Sequence, residues 1–587
     1  MDKFSLAIND HKILSVFGIL LALFAWVLFF LSLSGYFYVW VIIFAAVFLT
    51  FAAAWYLITK KIIQNISKEL PLVFIFSVLL AVFFSFFTSP TIFSGRDQGS
   101  ISQAAIRLAQ NHRLEFSTPA SNTFFKIYGQ GKALNFPGFY YDENGYLITQ
   151  FPLVYISWLA GFYAIFGLNG FVVANIILLV LFLTSFYVLL RIFSKSPTLS
   201  GFFFLLTATS FLVFWFFKFT LSENITLAFL WLAIAQTVLF LKSREKIFYY
   251  ACLLAFGLLI FSRIEGFIFF FLGIASIFIF FKDGGFSNKE HPKIILVPIF
   301  LFLAVFSFNA SKNFYFYKEI AKSLLKIPQK LEISASPSLL DSFFQRLEIF
   351  WIYGLVGILI LGIIWIIYLL KNKKYPELLP FFIVFPTFFY LIDSQISPDH
   401  PWMLRRFVFS VFPALAFYAF LLLNHLLKKK KIFYLAILSL ILIIFNIRPL
   451  YSYLLFSENE TLLEQTKTLS NNFSDKDLIL IDRLASGDNW AMISDPMSSL
   501  FHKNAVYFFN PNDLEKIDTG NFEKIYLIVP QKNMNFYTDS TIGSRIEYVK
   551  NYSIVTQQLD ISNQDQNIFL PPGKAVRIEG TIFKIKK

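Results

Sequence analysis

The sequence predicts an all-α polytopic membrane protein with about 13 transmembrane helices and a small α/β domain at its C-terminal end. Of the 587 residues, 57% are hydrophobic and only 15% are charged, whereas soluble domains have about 45–50% apolar and about 25% charged residues. The apolar residues form runs of about 20, which is the length of a helix that crosses a bilayer. This composition excludes a soluble or disordered chain, and the unbroken runs exclude an outer-membrane barrel, whose strands alternate.

Basic residues set the number and direction of the predicted spans. Clusters such as Lys60–Lys61, Arg191–Lys195 and Lys428–Lys431 follow every second span, and positively charged loops stay on the cytoplasmic side. A count of about 13 spans places these clusters in cytoplasmic loops, with the N-terminus inside and the C-terminus outside. The predicted spans are residues 13–34, 37–59, 71–89, 169–192, 199–218, 222–241, 247–262, 264–281, 294–310, 348–370, 377–393, 404–425 and 432–448.

One further apolar run, residues 151–166, is not counted as a span. If it crossed the membrane, the later basic clusters would face outward, against the positive-inside rule. At about 16 residues it is also short for a crossing. We therefore predict a helix that lies along the outer face or dips into it.

The predicted domain organisation has four parts, and the last one changes character. The tail carries apolar runs of strand length, such as 477–482 and 524–529, separated by helix-like stretches, which is typical of a small α/β domain. The parts are the N-terminal transmembrane helices 1–89, the first extracytoplasmic loop 90–168, the transmembrane bundle 169–448 and the extracytoplasmic α/β domain 449–587.

Charge and cysteine content restrict the partners. The net charge of +14 fits basic loops beside a lipid bilayer, so no nucleic acid partner is expected. The single cysteine, Cys252, lies inside an apolar run. Because there is only one cysteine, an intrachain disulfide and a metal site built from cysteines are excluded.

The first outer loop opens with Ser94-Gly95-Arg96-Asp97-Gln98-Gly99-Ser100, directly after the third predicted span. A helical apolar pattern follows, so Asp97 lies at a helix N-terminus near the membrane surface. One interpretation is that Asp97 or Ser100 only caps this helix. The other is that Asp97 is a general base or a metal ligand for a reaction at the outer face.

Further ionisable residues lie at the predicted outer ends of later spans, where charges are costly and mark candidate sites. Arg263 can form a local ion pair with a nearby carboxylate. The consecutive pair Arg405-Arg406 can extend to lipid headgroups. Arginine also suits the oxygens of a phosphate, whereas a lone histidine there is more often an interfacial residue. These candidates are Glu223, Arg263, Glu265, His400, Arg405 and Arg406.

Two other outer segments carry polar residues with less specific meaning. Asn144-Gly145 between aromatic residues predicts a hairpin turn, which makes Asp142 and Glu143 turn residues instead of a catalytic pair. In the predicted loop 311–347, lysines recur every four residues. They form either a basic helix face at the headgroups or a lid over a phosphate-bearing substrate. These lysines are Lys318, Lys322, Lys326 and Lys330.

The order and sidedness of these motifs over roughly residues 90–450 resemble the GT-C superfamily of membrane glycosyltransferases. The groups in question are the protein mannosyltransferase-like group (glycosyltransferase family 39) and the lipid A aminoarabinose transferase. The resemblance implies a GT-C-like fold at the cytoplasmic (inner) membrane and transfer of a sugar from a polyprenyl-phosphate donor at the outer face. The acceptor it allows is a glycolipid, a polysaccharide or a protein.

The resemblance also implies roles for individual residues. Asp97 matches the family's acidic residue that acts as base or orients the acceptor, and Arg96 beside it is expected to bind substrate. Gln98 stands where a second acid is usual, so no cofactor is assigned, although a divalent metal stays open. Phe151-Pro152-Leu153 matches the Pro-containing surface helix with one proline where two are common. Arg263 matches the basic residue at the outer end of a middle hairpin.

The chemistry implied by this resemblance is a direct displacement. The leaving lipid phosphate is stabilised by cations, for which Arg263, Arg405 and Arg406 are candidates, and Asp97 takes the acceptor proton. A single displacement inverts the anomeric carbon.

Two alternative functions are considered, one in a different class of protein and one in the same class with a different acceptor. A transporter or flippase of a lipid-linked or anionic solute is compatible with many spans. However, no paired Gly- or Pro-broken segments occur in two halves, and the polar residues cluster at one face. An oligosaccharide polymerase or ligase would use the same class of donor with a different acceptor.

Overall fold

The computed structural model describes residues 8–280, 291–312, 314, 317–318, 321–322, 339–393, 399–488, 490–561 and 569–586. The helices are α1 Ile8–Ser34, α2 Val39–Thr59, α3 Glu69–Ser85, α4 Asp97–Asn111, α5 Pro119–Tyr128, α6 Leu153–Phe166, α7 Asn169–Phe193, α8 Pro197–Ala208, α9 Phe211–Phe217, α10 Ser222–Ser243, α11 Lys246–Leu259, α12 Gly266–Phe280, α13 His291–Lys312, α14 Leu339–Ile352, α15 Val356–Lys371, α16 Leu379–Val384, α17 Arg405–Val408, α18 Val411–Lys428, α19 Ile432–Tyr453, α20 Leu462–Ser470, α21 Ser494–Ser499 and α22 Met534–Thr538. The strands are β1 Ser94–Gly95, β2 Gly131–Lys132, β3 Phe139–Tyr141, β4 Leu147–Thr149, β5 Leu478–Ile481, β6 Ala491–Met492, β7 Asn504–Tyr507, β8 Ile525–Pro530, β9 Ile546–Leu559 and β10 Gly573–Ile585.

Within the described residues, six helices are long and apolar enough to cross a membrane, or seven if the bent pair α8 and α9 forms one span. They are α1, α2, α7, α10, α18 and α19. Shorter apolar helices fill most of the other predicted spans. The chain is thus mostly helical with several apolar helices, which indicates a multi-pass membrane protein, and the count of 13 stays a prediction.

Helix α2 shows how strongly the surface is adapted to lipid. Phe44 and Phe51 are each 68% exposed, and stacked aromatic pairs continue along the same helix. An apolar face of this extent is not stable against water. In a bilayer it contacts acyl chains.

Three predicted spans, 199–218, 348–370 and 404–425, are each interrupted, the last of them between α17 and α18. Span 199–218 divides into α8 and α9, which meet at an angle of 52°. Span 348–370 divides at Gly354, which has a φ of +75° and closely approaches the carbonyl of Phe445. Only glycine adopts such a conformation without strain, so α14 ends there and α15 begins at Val356.

The run 151–166 forms α6, which packs against α1, α4 and α7. Its first ten residues are buried, and polar bonds hold it in place. The Ser157 hydroxyl donates to Ser32 at 3.0 Å, and the Tyr155 hydroxyl donates to Asn175 at 2.8 Å. The helix is therefore part of the protein core below the first loop. Its position relative to a bilayer stays a prediction.

The tail forms a five-stranded mixed sheet in the order β7-β5-β8-β10-β9. The two strands predicted at 477–482 and 524–529 are present as β5 and β8. β5 is parallel to both β7 and β8 and is buried along its whole length, which explains its continuous apolar run. β10 completes the sheet as an antiparallel partner of β8 and β9. The predicted hairpin in the first loop is also present, with the Asp142 carboxylate accepting from the turn backbone. Of the regularly spaced lysines in the predicted loop 311–347, Lys326 and Lys330 lie outside the described residues.

The tail is joined closely to the first loop and the helix ends. β1 pairs with β6 of the tail. The Asn135 amide donates to the Tyr507 carbonyl at 2.7 Å, and Arg107 donates to Ser498 at 2.7 Å. The Lys218 ammonium donates to three carbonyls at the end of α19 and beyond it. The first loop and the tail thus form one polar layer at one end of the helices, here called the outer layer.

Asp495 lies buried where α21 of the tail meets α4. Burial raises the pKa of its carboxyl to about 7, although Ser94 and Arg107 oppose that shift. A raised folded-state pKa means that stability is present at low pH and is lost as the pH rises towards 7. We expect Asp495→Asn to remove this loss, so its apparent unfolding temperature exceeds that of the wild type increasingly from about pH 5 to about pH 8.

The measurement is thermal unfolding of the purified full-length protein across that pH range. Asp539→Asn, an exposed substitution elsewhere on the tail, controls for the chemical change alone. Parallel pH profiles for wild type and Asp495→Asn would contradict the assignment.

Candidate active site

The motif Ser94–Ser100 turns the chain from the end of α3 into α4. The N-cap residue is Arg96, and its side chain makes no capping bond. A Cβ atom on Gly99 would lie 1.7 Å from the Phe93 carbonyl oxygen, so only glycine allows the chain to fold back so tightly here. The Asp97 carboxylate is directed to Arg405, and the Ser100 hydroxyl donates to the Pro137 carbonyl. The side chains of Asp97 and Ser100 therefore bind groups outside α4 and do not cap this helix.

Six charged side chains from four distant segments meet at this end of the helices. They come from the start of α4, the start of α10, the turn between α11 and α12, and α17. Acids and arginines alternate along a chain of ion pairs, here called the ion network. Its members are Asp97, Arg405, Glu223, Arg263, Glu265 and Arg406.

The first half of the ion network joins the outer loop to the helices. Asp97 Oδ2 lies 2.5 Å from Arg405 Nη1. Arg405 Nε lies 3.7 Å from Glu223 Oε1, and Arg263 Nη1 lies 2.7 Å from that same oxygen. Glu223 is therefore shared by two arginines, and its side chain is only 1% exposed.

The second half extends to the opposite side. Arg263 contacts Glu265 through Nη2 at 3.0 Å and through Nε at 3.2 Å. Arg406 Nη1 lies 3.3 Å from Glu265 Oε1, to which the Tyr390 hydroxyl donates at 2.6 Å. Arg263 also lies over the ring of Phe409 at 4.7 Å. This half is thus held by charge and by aromatic contacts together.

Asp97 differs from the other carboxylates of the ion network because it can be reached from outside. Its side chain is 40% exposed, whereas those of Glu223 and Glu265 are 1% and 11% exposed. Burial raises the pKa of Asp97, but Arg405, and then Arg406 and Arg263, together lower that pKa by more than burial raises it. The net pKa lies below the usual range of a carboxyl. Asp97 is therefore an ionised, accessible carboxylate at neutral pH.

Arg96 lies beside the ion network and not within it. Its Nη2 donates to Asp399 Oδ2 at 2.6 Å. Its guanidinium group lies over the rings of Trp402 at 4.4 Å and Trp490 at 4.6 Å. Trp402 also contacts Arg405 at 4.4 Å, so one indole ring joins Arg96 to the ion network.

His400 lines the cavity next to the ion network. Its Nδ1 is 3.0 Å from the Tyr353 hydroxyl. Burial lowers the pKa of the imidazole to about 4, against a smaller raising effect of Asp399. His400 is therefore neutral at physiological pH, which suits hydrogen bonding better than binding of an anion.

The residues that sequence reasoning missed are the aromatic and acidic neighbours of these charges. Tyr390 was not predicted, whereas Asp399 and Trp402 lie in the motif Asp399-His400-Pro401-Trp402 at the start of the twelfth predicted span without a role assigned to them, and all three belong to the site. Trp490 comes from the tail, far along the chain. A tryptophan in a polar Gly-Asp-Asn-Trp loop after a buried strand was the available indication.

The described carboxylates do not fit a divalent metal. No group of three or more His, Cys, Asp or Glu side chains in the described part of the chain is arranged to hold one. Asp97, Glu223 and Glu265 each pair with an arginine, and guanidinium groups between them would repel a cation.

The far end of the ion network borders an apolar surface. Ile264 and Phe389 are each 53% exposed, and they are next in the chain to Glu265 and Tyr390. Arg406 contacts both Glu265 and Tyr390, so this end of the ion network has exposed apolar residues as its immediate chain neighbours.

Gly99 gives a direct test of how the backbone positions Asp97. We expect Gly99→Ala to lower stability by about 1–3 kcal/mol or more, because overpacking must move the backbone, and to move Asp97 away from Arg405. Thermal unfolding of the purified protein measures the first effect. Gly201→Ala in α8, where a Cβ meets open space, is the matched control and should be neutral or stabilising. Equal unfolding temperatures for the two variants would contradict this account.

No protein-family model matches the chain, and no curated protein matches it. Among solved structures, it is similar to ArnT from Cupriavidus metallidurans in the apo state, with a TM-score of 0.49 and 9% sequence identity. The match covers 87% of this chain and 97% of that chain.

Proposed function

We propose that this protein is a GT-C-type membrane glycosyltransferase that moves a sugar from a polyprenyl-phosphate donor to an acceptor at the outer face of the cytoplasmic membrane. The observation that carries the proposal is the ion network. It offers one exposed carboxylate and three arginines at one end of an apolar helix bundle. Transfer from a lipid phosphate needs these two functions side by side.

The donor phosphate is assigned to the arginine side of the ion network. In the reaction, the bond between the anomeric carbon and the phosphate oxygen breaks, and its electron pair leaves with the lipid phosphate. Arginine stabilises that charge through paired N–H donors. Arg406 contacts Glu265 and Tyr390, whose chain neighbours Ile264 and Phe389 are exposed, so a polyprenyl chain at this end can remain in contact with lipid.

The acceptor proton is assigned to Asp97. The acceptor oxygen forms the new bond to the anomeric carbon, and its proton passes to the carboxylate. The ion pair with Arg405 makes Asp97 a weak base before the donor binds. A phosphate that takes over Arg405 would raise the proton affinity of Asp97 at the moment when the base is needed.

The arrangement favours a single displacement. A double displacement needs a second carboxylate that can attack the sugar, and Glu223 and Glu265 are buried in ion pairs with Arg263. The anomeric configuration is therefore inverted. Gln98, beside Asp97, is not a nucleophile of that kind.

The first test of the proposal is an assay with radiolabelled polyprenyl-phosphate sugars and the wild-type protein in lipid. We expect label to leave the donor in wild type and the rate to fall about 10²–10⁴-fold in Asp97→Asn, which removes the base. Asp539→Asn is the matched control and should retain the wild-type rate.

Each other result has a defined meaning. Equal rates in wild type and Asp97→Asn would place the base elsewhere. Donor binding without turnover under a broad acceptor mixture would favour the transporter alternative.

A second prediction concerns stereochemistry. We expect the anomeric configuration of the product to be opposite to that of the donor, because the displacement is single. NMR spectroscopy of the isolated product, from its one-bond C–H coupling at the anomeric carbon, measures this. Retention would require a carboxylate nucleophile and would contradict the mechanism.

A further inference from the structure

A polar cavity of about 260 Å³ lies between the tail and the first loop. Arg96 and Gln98, the residues on either side of Asp97, form part of its wall, and the tail contributes Asp488 and Trp490. This volume is close to the lower end of the about 300–1,000 Å³ that is usual for small-molecule sites. The cavity is therefore a candidate binding site directly beside the proposed base.

The wall of the cavity is rich in planar polar groups that are partly exposed. Carboxyl and carboxamide groups offer two hydrogen-bonding atoms in one plane, which matches pairs of neighbouring hydroxyl groups. Burial, and then Asp488, raises the pKa of Glu458 to about 7, so its carboxyl can donate as well as accept. The groups are Asp399, Glu458, Asn459, Asp488, Gln557 and Gln558.

Three oxygen atoms on residues of this wall are buried and have no hydrogen-bond partner among the residues that the structure describes. They are Gln98 Oε1, Asp399 Oδ1 and Asn459 Oδ1. An unsatisfied buried acceptor costs about 1–3 kcal/mol. A ligand hydroxyl that donates to one of them would remove this cost, and a charged anion would not.

Aromatic rings supply the apolar part of the wall. Trp402 and Trp490 are half-buried, and Trp215 and Phe219 lie in the same wall. Aromatic rings pack against C–H groups while polar atoms beside them bind hydroxyls. A ligand that fits has both, in a compact and hydroxyl-rich ring.

We propose that this cavity binds a pyranose ring of the acceptor, so that the acceptor is a glycan or a glycolipid and not an unmodified protein. The inference rests on the proposed function, because it assigns the cavity to the acceptor side of that reaction. It also gives the tail a role, since tail residues form much of the wall.

Position distinguishes the acceptor from the donor sugar. The cavity meets the ion network at Trp402, which contacts both Arg96 and Arg405, and Arg405 holds Asp97. The apolar surface around Ile264 and Phe389 lies at the other end of the ion network, at Glu265 and Arg406. The polyprenyl chain of the donor therefore lies at one end, the donor phosphate extends from there to Arg405, and a hydroxyl-rich ligand occupies the cavity beyond Trp402.

The test measures binding of maltotetraose, chitotetraose and mannotetraose to the full-length protein in lipid nanodiscs that are free of glycoside detergent. Mannitol, which has hydroxyl groups but no ring, is the ligand control. We expect at least one tetrasaccharide to bind more tightly than mannitol. Gln558→Ala should weaken this binding about tenfold, and Gln531→Ala, an exposed glutamine elsewhere on the tail, should not.

Trp490→Phe is the second variant, because it keeps a ring in the wall if larger changes disturb folding. It should weaken binding less than Gln558→Ala does. If no tetrasaccharide binds more tightly than mannitol, or if Gln558→Ala and Trp490→Phe both bind like wild type, the cavity is not a pyranose site.

The bound tetrasaccharide is then offered as acceptor in the assay with labelled donor. Label in the saccharide, with a KM for the saccharide that rises in Gln558→Ala and an unchanged KM for the donor, supports the acceptor assignment. If Gln558→Ala raised the KM for the donor and no label entered the saccharide, the cavity would belong to the donor sugar, and the inference would be overturned. A peptide that accepts the label while no saccharide does would also overturn it.

Failure of this inference and failure of the proposed function are distinguishable. Donor turnover that depends on Asp97, without saccharide binding, overturns the cavity assignment and leaves the transferase. Saccharide binding that depends on Gln558, without donor turnover by wild type, supports the pyranose site and removes the transferase.

Discussion

Charge compensation within the ion network is the constraint on which the outer end of this protein depends. Arg263 and Glu223 are almost completely buried, and removing one partner of a buried pair costs about 3–5 kcal/mol. The partners come from the first loop, α10, the turn before α12 and α17. Each of these segments must therefore lie where its charge is neutralised, and small errors in packing would leave an uncompensated charge in a region of low dielectric.

Much of this fold is readable from the sequence because its patterns are local. Long apolar runs predict the helices, apolar runs of strand length predict β5 and β8, and Asn144-Gly145 predicts the hairpin. Outer-edge charges gave the members of the ion network. Their pairing is not local: no spacing along the chain indicates that Asp97 meets Arg405 or that Trp490 of the tail meets Arg96. The sequence does not reveal the break at Gly354, because a hydropathy profile is averaged over many residues and contains no information on the backbone angle of one glycine.

The tail contributes directly to the site through a strand pair and a ring contact. β6 pairs with β1 directly before Asp97, and Trp490, two residues from the tail's Asp488, lies on Arg96. Lys218 ties the end of α19 to α9 through three carbonyl oxygens. Movement of the tail would therefore move the wall of the cavity and the residues that flank Asp97 together. The tail and the first loop act as one polar layer over the helices.

The shared position of Arg405 connects donor binding to the proposed base. Arg405 is paired with Asp97 and lies 3.7 Å from Glu223, and Trp402 covers it. If Arg405 turned to a bound phosphate, as proposed, Glu223 would keep Arg263 as a partner, whereas Asp97 would lose its nearest cation. The exposed carboxylate is thus the member of the ion network whose proton affinity changes most when an anion binds. A transporter has no use for a base that is activated by its own solute, whereas a transferase needs the base only when the donor is in place.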